Sequence, residues 1–177
     1  MIRIISGTAK GRRLQAPKTL PVRPTTDRAK EALFNILQHQ FDFVESSALD
    51  LFSGTGNISY EFSSRGIPYV VAVEQHKKCI GFIEKTREAL AFTITVVQQD
   101  VLRYLDQAQG TYNIIFADPP YQWKNEAYHE LIEKALNHLA PEGYFILEHE
   151  KQISFDTHNQ RIDVRSYGNS VFSFFTK

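Results

Sequence analysis

Asp118-Pro119-Pro120-Tyr121 places a carboxylate, two rigid rings and an aromatic face in four consecutive residues. The tetrad follows an apolar run, Tyr112 to Ala117, that reads as a buried strand. Chemistry on an amino group carried by a flat ring needs these groups together. Carboxylate and backbone carbonyl oxygens accept hydrogen bonds from an –NH2. The prolines fix φ and restrict the residues before them, so the acceptors keep one direction. The tyrosine offers a surface on which a base can stack. A proline-stiffened turn after a strand has the same composition, so the residues around the tetrad decide between the two readings.

Ligands of open parallel sheets bind beyond the carboxyl ends of the strands. Three more strand ends carry suitable groups. Asp50-Leu51-Phe52-Ser53-Gly54-Thr55-Gly56 closes one strand, and its glycines allow a tight turn and close backbone approach. Glu74 ends the next strand and can accept from both hydroxyls of a ribose. Asp100 ends a third and can accept from an adenine amino group. A nicotinamide dinucleotide and S-adenosylmethionine both fit such a nucleoside cradle. The dinucleotide pattern asks for a third glycine, where this chain has Ser59.

The elements that must position these residues alternate. After residue 45, strands at Ala48–Phe52, Tyr69–Val73, Thr93–Val97, Tyr112–Ala117 and Gly143–Leu147 are separated by helical patterns at Ile58–Arg65, His76–Leu90 and Val101–Gln107. A fourth helix carries Tyr128, Leu131, Ile132, Ala135, Leu136 and Leu139 on one face. Repeated βαβ units predict a parallel sheet covered on both faces. Arg161–Tyr167 and Ser170–Phe175 flank Gly168-Asn169 and read as a closing antiparallel hairpin. At the other end, Arg3–Ile5 and Arg12–Gln15 read as a small hairpin, stable only if packed on the main domain. Pro17, Pro21 and Pro24 keep the next stretch extended. A helix capped by Thr25 or Thr26 follows, with Ala29, Leu33, Ile36 and Leu37 as its apolar stripe.

A length of 177 residues fits one substantial core. The single cysteine, Cys79, excludes an internal disulfide and a cysteine zinc cluster. It reads as an ordinary helix residue and fits a reducing cytoplasm. No histidine spacing suggests a metal, and no apolar stretch suggests a membrane span. The net charge of zero conceals a gradient. Residues 1–40 hold eight Lys/Arg and two acids, including Arg3, Lys10, Arg12, Arg13, Arg28 and Lys30 among the cations. A basic end on a neutral protein suits a polyanion.

At this point the residues resemble a family. The Asp50 to Gly56 segment looks like the first motif of class I S-adenosylmethionine-dependent methyltransferases, and Asp118 to Tyr121 like the motif of those that methylate exocyclic amines. Arg3-Ile-Ile-Ser-Gly7, Lys10-Gly-Arg12-Arg-Leu14 and Arg23-Pro-Thr-Thr-Asp27-Arg28-Ala-Lys-Glu31-Ala-Leu-Phe-Asn35 are similar to the RsmD family, which methylates N2 of guanine 966 in 16S ribosomal RNA. Tyr167-Gly168-Asn169 before an aromatic strand matches as well, whereas Asn57 and Ser59 stand where small apolar residues are usual.

The resemblance implies a Rossmann-like α/β fold. Its sheet would be mostly parallel and seven-stranded, with an antiparallel C-terminal edge hairpin, helices on both faces and a small N-terminal hairpin. Residues 1–22 would form a basic extension and residues 23–177 the methyltransferase domain. Asp50, Phe52, Gly54 and Gly56 would line the methionine end of S-adenosylmethionine, Glu74 would hold the ribose, and Asp100 with Val101 the adenine. Arg23, Thr25 and Thr26, in the segment running to Arg28, would close over cofactor and substrate. Asp118, Pro119 and Tyr121 would receive the guanine. Arg3, Lys10, Arg12, Arg13 and Arg28 would grip phosphates of the 16S RNA or the assembled small subunit. A cytoplasmic monomer without metal is expected. An adenine-N6 methyltransferase acting on DNA shares the tetrad but usually needs a recognition region for which this chain has little room. A non-catalytic RNA-binding module would have no need of Asp118.

Overall fold

The computed structural model describes residues 1–17, 20, 25–121 and 123–177. Lys18, Pro21, Arg23 and Pro24, which belong to the basic and proline-rich stretch read from the sequence, lie outside the described residues. In chain order the elements are β1 (Ile2–Arg3), β2 (Arg13–Leu14), α1 (Asp27–Gln40), a 3-10 turn at Phe43–Glu45, β3 (Ser47–Leu51), α2 (Asn57–Ser64) and β4 (Tyr69–Glu74). Then come α3 (Lys77–Ala89), β5 (Ile94–Gln98), α4 (Val101–Gln107), β6 (Tyr112–Ala117), α5 (Asn125–Asn137), β7 (Leu139–His149), β8 (Arg161–Tyr167) and β9 (Ser170–Phe175).

Seven strands form one sheet in the order β5-β4-β3-β6-β7-β9-β8. Neighbours from β5 to β7 are parallel, and β9 runs antiparallel to both β7 and β8. Gly168-Asn169 joins β8 to β9 across the paired Tyr167 and Ser170. The fold is the one the resemblance implies. Strand order reverses between β3 and β6, which opens a crevice at their carboxyl ends.

Both faces of the sheet are covered, and the strands divide their side chains between them with period two. Ala48, Val70, Ala72, Ile114, Phe116 and Ile146 join the core under α1, α2 and α3. Their neighbours Leu49, Val71, Val73, Ile115, Ala117 and Leu147 join the core under α4 and α5. Central strands buried on both sides read as continuous apolar runs, as these do.

Most boundaries shift by a residue or two from the sequence reading, the hairpin strands included; the larger differences are at α5 and β7. Leu139 does not extend the α5 face; the helix stops at Asn137, and Leu139 opens β7 opposite Tyr112. β7 reaches Tyr144 through a register shift, so the strand is longer than its apolar run. On α1, Phe34 is fully buried and Ile36 only partly. Thr26 is the cap, accepting from the Ala29 amide.

The N-terminal hairpin is docked into the first core. Ile2 and Ile4 are buried there. The Ile5 and Ser6 amides donate to the Glu61 carboxylate at 2.9 and 3.0 Å. Gly7 has φ +83°, and a Cβ there would sit 1.8 Å from the Ser64 carbonyl oxygen. Gly7→Ala is therefore expected to undock the hairpin. The left-handed backbone alone costs roughly 1–3 kcal/mol for a non-glycine residue. A Tm drop of several degrees with faster amide exchange at Ile5 and Ser6 is the expected result; unchanged values would show that the contact carries no stability.

Candidate active site

The crevice is a cavity of about 720 Å³ beyond β3, β4, β5 and β6. Its first wall is built by the glycine turn. The Gly56 amide donates to the Ser53 carbonyl, the Ser53 hydroxyl to the Asp50 carbonyl, and the Ser53 amide to the Val73 carbonyl. Gly54 and Gly56 have φ of 54° and 81°, where side chains are strained. Phe52 also sits in the left-handed region, at φ 58°, with its ring edge-on to Trp123 at 5.1 Å. Strain of this kind persists only where the surroundings over-determine it, and it collects at ligand sites.

Glu74 locks this turn to the next strand. One of its oxygens accepts from the Gly54 amide and the other from the His76 amide, each at 2.8 Å. Both oxygens keep a lone pair for a further donor. Asp100 caps α4 by accepting from the Arg103 amide at 3.1 Å while also lining the cavity.

Asp50, Phe52, Gly54, Glu74, Asp100, Val101 and Thr25 all line the cavity, as do Asp118, Pro119 and Tyr121. Gly56 does not; it caps the start of α2, with the Tyr60 ring where its Cβ would be. Thr26 lines a smaller adjoining cavity instead. Arg23 is outside the described residues.

The carboxylates of this site are electrostatically crowded. Asp50 is 1% exposed and accepts from both the amide and the hydroxyl of Ser59. Burial pushes it up to about 7, against the Ser59 hydrogen bonds and with help from the Glu74 charge. Asp118 accepts no hydrogen bond from the described residues. Burial, then the charges of Glu148 and Asp50, hold its carboxyl well above the usual range.

These shifts set a sign for stability. The folded-state value of Asp50 lies above its ordinary 3.8, so between about pH 4 and 7 the folded protein holds a proton that the unfolded chain has released. Its contribution is complete below that window and lost as pH rises through it. Asp50→Asn is expected to flatten the fall of Tm between about pH 4 and 7, leaving the part due to Asp118. An unchanged slope would mean that Asp50 is ionised throughout.

Several site residues escaped the sequence reading. Ser59 holds Asp50 in place. Asn57 donates to the Thr25 carbonyl at 3.0 Å and accepts from the Lys30 ammonium at 2.8 Å. Glu148 near the end of β7, 2% exposed, accepts from the Thr25 hydroxyl at 2.7 Å. Glu148 continues the series of strand-end carboxylates and was readable on that ground. Asn57 and Ser59 are departures from the family pattern that carry polar contacts rather than weaken the turn.

Arg3, Lys10, Arg12, Arg13 and Arg28 are exposed. Arg3 pairs with Asp27 at 2.9 Å, and Arg28 lines the smaller cavity. Lys30, counted in the basic end, is a correction: it is fully buried and contributes nothing to a surface patch. Among the described residues no acid and histidine cluster has metal-binding geometry, and no helix is long and apolar enough to cross a membrane.

The family model described as conserved hypothetical protein 95 matches residues 2–176. Ribosomal RNA small subunit methyltransferase D of Escherichia coli K12 is 33% identical over 81% of this chain and 69% of its own. The Haemophilus influenzae protein of that name is 32% identical over 85% and 79%. The chain belongs to this family. Solved structures agree on the family's fold. Hypothetical protein TTHA0928 of Thermus thermophilus superposes with a TM-score of 0.88 over all of both chains, at 24% identity. The Thermus thermophilus 16S rRNA N2 G1207 methyltransferase RsmC, solved with AdoMet and guanosine, superposes with a TM-score of 0.72 at 20% identity, over 89% of this chain and 45% of its own; that likeness shows the fold alone.

Proposed function

We propose that this protein transfers a methyl group from S-adenosylmethionine to the exocyclic N2 of a guanine in small-subunit ribosomal RNA. The observation that carries the reading is the position of Asp118: an acceptor without a hydrogen-bond partner among the described residues, in the same cavity as the Gly54 turn, Glu74 and Asp100. Those three sets of groups suit a nucleoside with an amino-acid tail. Glu74 would hold the ribose, Asp100 with Val101 the adenine, and Asp50, Phe52 and Gly54 the methionine end. When bound, the cofactor would supply a methyl on a cationic sulfur, and the sulfur would keep the electron pair of the broken C–S bond.

The protein's part concerns the nitrogen. The N2 lone pair of guanine is delocalised into the ring. Hydrogen bonds from its N–H groups to Asp118 and the Pro119 carbonyl favour an amine-like geometry and free that pair to form the N–C bond. Tyr121 stacks on the base. Orientation of this kind can supply roughly 7–11 kcal/mol of the barrier. The amine then carries one proton too many, and Asp118, raised by its surroundings, takes it. The guanine leaves its stack to reach the cavity.

We assign residues 1–22 to an RNA-facing extension and residues 23–177 to the methyltransferase domain. Neutralising Arg12 and Arg13 together is expected to lower the slope of log K against log[salt] by about 1 to 2; an unchanged slope would make this end a solvated face.

The reading is tested with labelled S-adenosylmethionine and three substrates: small subunits, protein-free 16S RNA and duplex DNA. Label recovered as N2-methylguanosine from RNA is expected. Label in N6-methyladenine, or none in any substrate, overturns it.

A further inference from the structure

Beyond the tetrad, a second cavity of about 220 Å³ lies against the first, sharing Thr25 and Tyr121 with it. Its floor contains Glu148, and Arg28 and Asn169 stand in its wall. Glu148 has no lysine or arginine partner among the described residues. Burial holds its carboxyl above the ordinary value, and the Ser170 and Thr25 hydroxyls oppose that shift by favouring the ionised form.

The sheet register puts this carboxylate beside Asp118. Ala117 pairs with Leu147 on neighbouring parallel strands; Glu148 is the next residue of β7, and Asp118 is the first residue past β6. That spacing is roughly 5 Å between backbones. Glu148 keeps the parity of Ile146, which faces the α1 side, and its charge acts on the Asp118 carboxyl. Two carboxylates with acceptor capacity to spare therefore stand side by side at the junction of the cavities.

We infer that Glu148 is a specificity-determining residue: with Asp118 it forms a double acceptor that reads the N1–H and N2–H2 donors on the Watson–Crick edge of guanine. The inference rests on the guanine-N2 reading above and names what selects that base. Adenine and cytosine set a ring acceptor next to their amino group, so either would bring a lone pair against a carboxylate. Bases drawn from a stack are read on this edge.

The test uses an RNA with guanine or 2-aminopurine at the target position. 2-Aminopurine keeps the N2 amine, but its N1 is an acceptor. Wild-type protein is expected to prefer guanine in kcat/KM by about 10- to 100-fold, the range for one charge-assisted hydrogen bond. Glu148→Gln, whose amide can donate to N1, is expected to narrow that ratio to within about threefold, with the same narrowing in RNA affinity measured with S-adenosylhomocysteine present. A wild-type protein that uses both bases equally, or an E148Q protein with the wild-type ratio, overturns the inference. Should E148Q not fold by circular dichroism, Glu148→Asp replaces it. That variant is expected to lose rate on guanine and keep its 2-aminopurine rate, and an equal loss on both bases counts against the inference. Failure of the guanine-N2 reading shows separately, as absence of N2-methylguanosine from the wild-type reaction.

Discussion

Asp118→Ala is expected to lower the rate of methyl transfer by roughly 100- to 1,000-fold, the usual cost of deleting one group aimed at the reacting centre. Cofactor affinity by calorimetry should stay within about threefold, because the groups assigned to the nucleoside are held by other strands. Asp118→Asn separates two roles. Its amide oxygen still accepts from an amine but cannot take a proton. If holding the amine is the larger effect, D118N retains more activity than D118A. The pH profile reports the other role. Burial and the neighbouring Glu148 and Asp50 charges raise the Asp118 carboxyl, so kcat/KM should climb as pH rises through that raised value. D118N should lose the limb. A D118A protein with the normal rate would remove Asp118 from the chemistry.

The largest stability effect is expected at Glu61. This fully buried carboxylate accepts from the Ile5 and Ser6 amides, pairs with Arg65 at 2.8 Å and stands 3.6 Å from the Lys30 ammonium. Lys30 in turn donates to the Arg3 carbonyl at 2.7 Å and to Asn57. Burial lowers the Lys30 ammonium and the Glu61 charge opposes that shift, so the lysine depends on its partner to remain charged. Glu61→Ala strands a buried cation and two amides at once. Breaking one side of such a pair costs about 3–5 kcal/mol. For a chain of this size that is a Tm loss of roughly 10 °C. Lys30→Met is expected to cost less, since Glu61 keeps Arg65 and both amides. Equal losses in the two variants, or a loss in E61A below about 1 kcal/mol, would contradict this ranking.

The reason for that hub was hidden in the sequence. Lys30 lies one position beyond Ala29 on the α1 stripe and reads as one more surface cation. Only the tertiary fold shows that the hairpin carbonyl of Arg3 and the α2 side chains converge on it. The sheet, by contrast, was legible. Its central strands are apolar runs separated by helical patterns, and the Gly168-Asn169 turn marks the antiparallel end. The strand-end residues Asp50, Glu74, Asp100 and Asp118 were found because parallel topology forces them to one edge, and the structure gathers all four around one cavity. Glu148 obeys the same rule but follows an apolar run that ends at Leu147, in a Leu-Glu-His-Glu stretch that carries the strand on to His149. Leu139 failed for the opposite reason. Its spacing continues the α5 face, yet pairing with Tyr112 draws it into β7.

The same partition explains the polar residues after the glycine turn. Asn57 and Ser59 were visible as departures, but their partners Lys30, Thr25 and Asp50 come from α1, the segment before it and β3. No local pattern links those positions. The result is a continuous set of contacts from the docked hairpin through Lys30, Asn57 and Thr25 to Glu148. These contacts join the hairpin that carries residues assigned to RNA to Glu148 beside the cavity.

The most direct check on the amine-holding role is a crystal structure of the protein with S-adenosylhomocysteine and guanosine. The adenosyl group should lie between Glu74 and Asp100, with guanine N2 within about 3.2 Å of the Asp118 carboxylate. A nucleoside bound elsewhere, or a guanine whose amino group points away from Asp118, would contradict the account.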